Sequence, residues 1–221
     1  MADAKPRCRL YLQVAAPLTA KLEAQLAQAI ANTSVACILL CENAQPFDES
    51  HADRLIDLVQ AAGVSCLIEN DVALAERLGA DGVHIAADAD LYKHARDLLG
   101  ETANIGASCG LDRHDAMRLA EIGADYVAFG PETAFSPETA SPPMTSNIDT
   151  IDQCAELITW WSEIFVVPCI AWNVDDPTQA AQLAGLGADF VAPSRTIWQD
   201  DDALAIIVEI DSAIGRARRA A

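Results

Sequence analysis

Short apolar, β-branched runs alternate with helical periodicity along the whole chain, the pattern of strand–helix units around a parallel sheet. Strands are expected at Cys8 to Val14, Val35 to Leu40, Ser65 to Ile68, Gly82 to Ile85, Asn104 to Ser108, Tyr126 to Phe129, Phe165 to Ile170, and Phe190 to Pro193. The intervening helices are expected near Leu18–Ile30, Ser50–Ala61, Val72–Leu78, Leu91–Leu99, Arg113–Ile122, Ile148–Ile164, Pro177–Leu186 and Asp202–Ala217. Eight such units in 221 residues predict an α/β fold, a single (β/α)8 TIM barrel, near the short end of the range for that architecture.

A tripeptide recurs at the helix-to-strand joints: Gly79-Ala80-Asp81, Gly123-Ala124-Asp125 and Gly187-Ala188-Asp189, with Ala62-Gly63-Val64 as a weaker copy. Glycine can take the left-handed conformation that ends a helix, and an apolar strand follows within two residues. The repeat is expected at the N-terminal face of the barrel, as a stability feature, because such barrels carry function at the opposite ends of their strands. One connection is long: between Gly130 and Asn147 lie Pro131, Pro137, Pro142 and Pro143 among Ser, Thr and Glu. It is expected to be a flap over the mouth, with a functionless loop as the alternative.

Composition narrows the partners. The formal charge of −19, from 33 acidic and 14 basic residues, excludes nucleic acid and anionic membrane as expected partners, since both attract clustered cations. Lys5, Arg7, Arg9, Arg216, Arg218 and Arg219 sit at the two ends of the chain. No stretch approaches the roughly 18 apolar residues of a membrane span, and the first residues lack an apolar leader, so a cytoplasmic location is expected. The seven cysteines are odd in number, mostly inside apolar runs and without a C-x-x-C pair, which reads as buried reduced thiols.

The run Glu69-Asn70-Asp71-Val72-Ala73-Leu74-Ala75, then Gly79-Ala80-Asp81-Gly82-Val83-His84-Ile85, resembles the thiamine phosphate synthases and their thiazole tautomerase relatives. So do Ile105-Gly106-Ala107-Ser108 and the run from Gly123 through Tyr126 and Phe129 to Pro131; the match spans roughly Cys37 to Ile197. The resemblance implies coupling of a hydroxymethylpyrimidine diphosphate to a thiazole phosphate, with release of pyrophosphate and help from Mg²⁺. A departing diphosphate needs positive charge around it, supplied by Lys, Arg and metal.

Position by position, the resemblance makes Asp71 a magnesium ligand beside Asn70 and places Ser108 near the diphosphate. Asp71 also opens a helical pattern and is a candidate N-cap. The family's second magnesium Asp falls at Ala89, flanked by Asp88 and Asp90, either of which a small loop shift could present. Where the family ends its second strand in Gln, Arg and Lys, this chain has Leu39, Cys41 and Asn43; where the family's flap has lysine, it has Glu138. A Gly-Gly pair expected after the seventh strand is replaced within Ile170-Ala171-Trp172-Asn173-Val174, and Asp175 and Asp176 place negative charge at the next helix start. Arg195 offers a cation at the end of the eighth strand, outside the family pattern; it would hold a phosphate or pair with a mouth carboxylate. The tautomerase branch would need a histidine just after Ser108, where Cys109-Gly110 stands. His84 is expected to be a hydrogen-bonded barrel residue, and His51, His94 and His114 lie in helix segments.

The strand ends thus collect Glu42, Asn43, Glu69, Asn70, Asp71, Asp88, Asp90, Ser108, Cys109, Glu132, Glu138, Trp172, Asn173 and Arg195. Crowded carboxylates must share protons, bind a cation, hold an amine-bearing ligand against Trp172, or spread into water. The expected roles are catalytic for Ser108 and Arg195; ligand-binding for Asn70, Asn43, Glu69, Trp172, Asn173 and Glu132; and metal-binding, with Mg²⁺ as the ion, for Asp71, Asp88 and Asp90. The expected partner is a small thiamine precursor or thiamine-like ligand, and a homo-oligomer stays open. The expected function is a divergent synthase-like barrel of thiamine metabolism with impaired or altered diphosphate displacement and a ligand-binding role. The alternative is an active, Mg²⁺-dependent synthase.

Overall fold

A computed structural model describes residues 7–41, 48–131 and 147–217, with side chains in the last segment from 150 onward. Glu42, Asn43, Glu132, Glu138 and nearly all of the expected flap lie outside the described residues. The strands are β1 (Arg9–Ala15), β2 (Val35–Cys41), β3 (Ser65–Glu69), β4 (Gly82–Ala86), β5 (Asn104–Ser108), β6 (Tyr126–Phe129), β7 (Cys169–Trp172) and β8 (Phe190–Ala192). The helices are α1 (Ala20–Asn32), α2 (Glu49–Ala61), α3 (Val72–Leu78), α4 (Ala89–Leu99), α5 (Arg113–Glu121), α6 (Asn147–Ile164), α7 (Pro177–Leu186) and α8 (Ala203–Arg216). All strand pairs are parallel, and β8 closes onto β1 at Arg9↔Phe190 and Leu10↔Val191, so the sheet is a closed barrel in sequence order.

Strand alternation separates two apolar layers. Leu10, Leu12, Val14, Ile38, Leu40, Cys66 and Ile68 face the helices and join the larger core. Tyr11, Cys37, Leu39, Cys41, Leu67, Tyr126, Ala128, Ile170, Trp172 and Ala192 fill the barrel interior, as period-2 strands around a packed centre require. Gly106 makes room there: a Cβ at this position would meet the Tyr126 ring at 1.9 Å.

The Gly-Ala-Asp joints are one device used three times. Gly79 ends α3 with φ 64°, the left-handed conformation its sequence context predicts. Asp81 then donates its N–H to Cys66 O (2.8 Å) and accepts from Cys66 N on Oδ2 (2.7 Å). Asp125 does the same to Ile105 (2.9 and 2.7 Å), and Asp189 to Cys169 (2.9 and 2.9 Å). Each aspartate therefore ties the start of an even-numbered strand to the start of the preceding odd one, at the N-terminal face.

The seventh strand corrects the sequence reading: it begins at Cys169, not Phe165. Phe165 stacks on Trp161 with centroids 4.0 Å apart, Trp161 Nε1 donates to Val167 O (2.7 Å), and Val166 is fully exposed. The β-branched run is thus the end of α6 and its return, and Pro168, which has no N–H, precedes the ladder. A 3-10 helix at Arg195–Gln199, after β8, was not expected.

Candidate functional site

At the C-terminal end of β3 three consecutive residues take different tasks. Glu69 points across the mouth. Asn70 adopts φ 56°, a conformation that asparagine tolerates better than most residues, and clips β3 to β4: its N–H donates to His84 O (2.9 Å) and its Oδ1 accepts from Ala86 N (3.0 Å). Asp71 is the N-cap of α3, its Oδ1 accepting from Leu74 N at 2.8 Å. On the next unit Asp88 caps α4, accepting from Asp90 N (2.8 Å) and Leu91 N (3.0 Å), and those N–H groups hold its carboxyl below the ordinary range. Asp90 is almost wholly exposed, 3.8 Å from Lys93.

Helix capping is therefore the visible work of Asp71 and Asp88. No group of three or more His, Cys, Asp or Glu among the described residues is arranged to hold a metal ion.

Arg195, in the 3-10 helix that follows β8, reaches over β1 and β2 to Glu69 at the end of β3. The pair is forked, Nη2 to Oε1 at 3.1 Å and Nη1 to Oε2 at 3.4 Å, and sheltered, with side chains 10% and 16% exposed. Beneath it Cys41 is fully buried. Burial pushes its thiol up; Glu69 pushes the same way and Arg195 opposes. Leu39, two residues below, is also fully buried, so the inner wall of β2 is apolar to its end.

On the other side of the mouth Asn173 has φ 60°, accepts from Gln13 Nε2 on Oδ1 (3.1 Å) and donates through Nδ2 to Pro131 O (3.0 Å). Gln13 Nε2 also donates to Pro193 O (2.9 Å). Trp172 is buried and stacks on His84 at 4.6 Å with 12° between planes. His84 Nδ1 lies 3.0 Å from Tyr126 Oη, which is 2.8 Å from Tyr11 Oη. Burial first, and Arg195 second, lower the His84 pKa to about 3, so its ring is neutral at physiological pH and poorly suited to proton transfer. His84 Nε2 and Gln13 Oε1 are buried polar atoms with no hydrogen-bond partner among the described residues.

The two aspartates after β7 divide their work. Asp176 caps α7, accepting from Thr178 N and Gln179 N. Asp175 turns away from that helix to Ser194, taking its N–H and its Oγ–H at 2.7 Å each, and Thr196 Oγ1 lies 2.8 Å from Ser194 Oγ.

The structure thus brings Glu69, Asn70, Asp71, Trp172, Asn173 and Arg195 to the strand ends. Ser108 ends β5, half-buried, and pairs in register with Ala86 and Ala128. Sequence reasoning missed Gln13, a buried amide in an apolar strand and therefore a visible signal, and the Ser194–Asp175 lock, which had none. A cavity of about 280 Å³ lies at the opposite end, lined by strand-start residues such as Arg9, Ser65, Asn104 and Phe190. No helix among the described residues is long and apolar enough to cross a membrane.

Comparison with known proteins adds identity to this geometry. A family model described as thiamine monophosphate synthase matches residues 10–197. A thiamine-phosphate synthase of Hyphomonas neptunium is 34% identical over 96% of both chains. One of Rhodospirillum centenum is 38% identical over 86% of this chain and 89% of its own length. Among solved structures, a thiamine phosphate pyrophosphorylase from Pyrococcus furiosus superposes with TM-score 0.70 at 16% identity, covering 94% of this chain and 96% of that one. The GGGPS of Thermoplasma volcanium does so at 0.67 and 12%, over 97% and 95%. At such identities the likeness shows the fold alone.

Proposed function

Since this chain belongs to the thiamine monophosphate synthase family, we propose that it is a divergent member that binds a thiamine precursor at the strand ends and displaces diphosphate slowly. When the C–O bond to the pyrimidine's methylene carbon breaks, the electron pair leaves with the diphosphate, and the barrier depends on cations already facing those oxygens. One observation carries the reading: the inner wall at the end of β2 is Leu39 and Cys41, both fully buried and apolar. In this proposal Arg195 is the cation for the leaving group, Ser108 donates a hydroxyl hydrogen bond to it, and Trp172 with Asn173 meets the ring of the ligand. Glu69 and Asn70 belong to the wall around that ligand. Mg²⁺, when bound, would be held by Asp71 with Asp88 or Asp90 and would neutralise negative charge on the leaving group.

The test is product formation by purified protein given hydroxymethylpyrimidine diphosphate, thiazole phosphate and Mg²⁺. Losing one transition-state donor typically costs about a hundredfold in rate, and several are replaced here, so turnover at least about a thousandfold below a cation-complete synthase is expected. Turnover of about one per second or faster overturns the proposal. It would establish the second reading, an active Mg²⁺-dependent synthase, which the names of the relatives at 34% and 38% identity favour.

A further inference from the structure

We propose that Glu69 is a built-in competitor for Arg195: its carboxylate holds the guanidinium fork, and an oxyanion ligand must displace it to bind. The inference rests on the reading of Arg195 as the mouth's anion-binding cation and adds what regulates it. Three features make the pair exchangeable. First, it joins β3 to the segment after β8, strands that are not neighbours, while the ladders of β8, β1, β2 and β3 close the barrel without it. Second, the 3-10 helix carrying Arg195 is fixed independently: Ser194 N and Oγ are held by Asp175, and Trp198 Nε1 donates to Gln13 O at 2.7 Å. Arg195 therefore stays at the mouth when its fork lets go of Glu69. Third, the guanidinium meets the carboxylate through two N–H to oxygen contacts, a fork that a phosphate oxygen pair could also occupy.

Shelter sets the selectivity. A guanidinium only 10% exposed is costly to leave without a counter-anion, so the incoming group must outbid a carboxylate already in place. Ligands carrying more negative charge than one carboxylate, such as a diphosphate, gain most from this exchange. Monoanions gain least.

Calorimetric titration of the purified full chain with sodium pyrophosphate, without added divalent cation, tests this. Glu69→Gln, which keeps the size of the side chain and removes the competing charge, is expected to bind pyrophosphate on the order of tenfold more tightly than the unmodified protein. Arg195→Ala is expected to abolish the binding, and Glu69→Gln combined with Arg195→Ala to be as weak as Arg195→Ala alone. Glu69→Ala repeats the gain if Gln misfolds, with circular dichroism and the melting temperature reporting folding of every variant. Unchanged or weaker binding by folded Glu69 variants overturns the competitor role. Unchanged binding by Arg195→Ala overturns the site. Both outcomes are read at equilibrium, apart from turnover, so the slow-transfer proposal can fail while this inference stands.

Discussion

Two arginine–carboxylate pairs occupy opposite ends of the barrel and are built differently. At the N-terminal face Arg96 Nη2 meets Asp125 Oδ2 at 2.7 Å while its Nη1 donates to Ala103 O at 2.7 Å and Gly100 O at 3.1 Å. That same Asp125 oxygen accepts from Ile105 N. The pair is woven into backbone that joins α4, β5 and β6, so neither member can leave without orphaning a strand start. At the mouth the Arg195–Glu69 pair joins two side chains over a floor that includes fully buried Cys41, and the backbone that carries Arg195 is anchored by other residues. An ion pair embedded in backbone hydrogen bonds is architecture. One standing between side chains at strand ends is a switchable contact, and it sits where barrels of this kind do their chemistry.

The largest effect expected from this contrast is at the bottom. Asp125→Ala removes a charge-assisted bond to Ile105 N and the partner of Arg96, and is expected to lower stability by about 2–4 kcal/mol. Urea denaturation checks it. Pyrophosphate binding measured on the same variant should be unchanged, because Asp125 lies at the far end of the barrel from Arg195. A loss below about 1 kcal/mol would remove the architectural half of the comparison.

That half was legible in the sequence. Alternating runs of period 2 and helical pattern mark all eight units, and the Gly-Ala-Asp repeat marks the joints because its glycine lies at a helix end; the aspartate bonds to strand starts 15–20 positions away do not show in the sequence. The seventh strand failed for a reason of packing. Phe165, Val166 and Val167 have strand-like composition, yet Phe165 is captured by Trp161 four residues earlier, and composition alone cannot register that contact. The mouth was legible as a set of residue types and not as an arrangement. Arg195 reads from sequence as holding a phosphate or pairing with a mouth carboxylate, and it pairs with Glu69; the choice of Glu69 spans 126 positions and depends on barrel closure. Asp71 reads from sequence as a metal ligand or an N-cap and Asp88 as a metal ligand alone; both cap helices in the structure, and the Asp88 cap is a finding the sequence reading lacked.

Asp71 offers the next test, with an intermediate effect. As the N-cap of α3 it accepts from Leu74 N, so Asp71→Ala should cost about 1 kcal/mol and Asp71→Asn only a few tenths, since asparagine caps nearly as well as aspartate. Melting temperatures of the two variants separate these outcomes. If Asp71→Asn also leaves Mg²⁺-dependent product formation unchanged, the carboxylate serves the helix and not an ion. If product formation collapses while stability holds, the mouth and the architecture overlap at this residue, and the comparison of ends must be redrawn with Asp71 on both sides.

The smallest effect is the sharpest discriminator. Sheltering both charges of the Arg195–Glu69 pair is itself unfavourable, and replacing such a pair by apolar side chains of similar size is often neutral or stabilising. The double variant Glu69→Met, Arg195→Met should therefore remain within about 1 kcal/mol of the parent in urea denaturation. Either single substitution should be worse than the double, because it leaves one sheltered charge without its partner. The same design at the other end, Arg96→Met with Asp125→Met, should remain clearly destabilised, since Ile105 N and the carbonyls of Gly100 and Ala103 lose their partners whatever the side chains become. A mouth double variant that unfolds as readily as the bottom one would mean that the Arg195–Glu69 pair is also architecture, held for the barrel and not kept ready for a ligand.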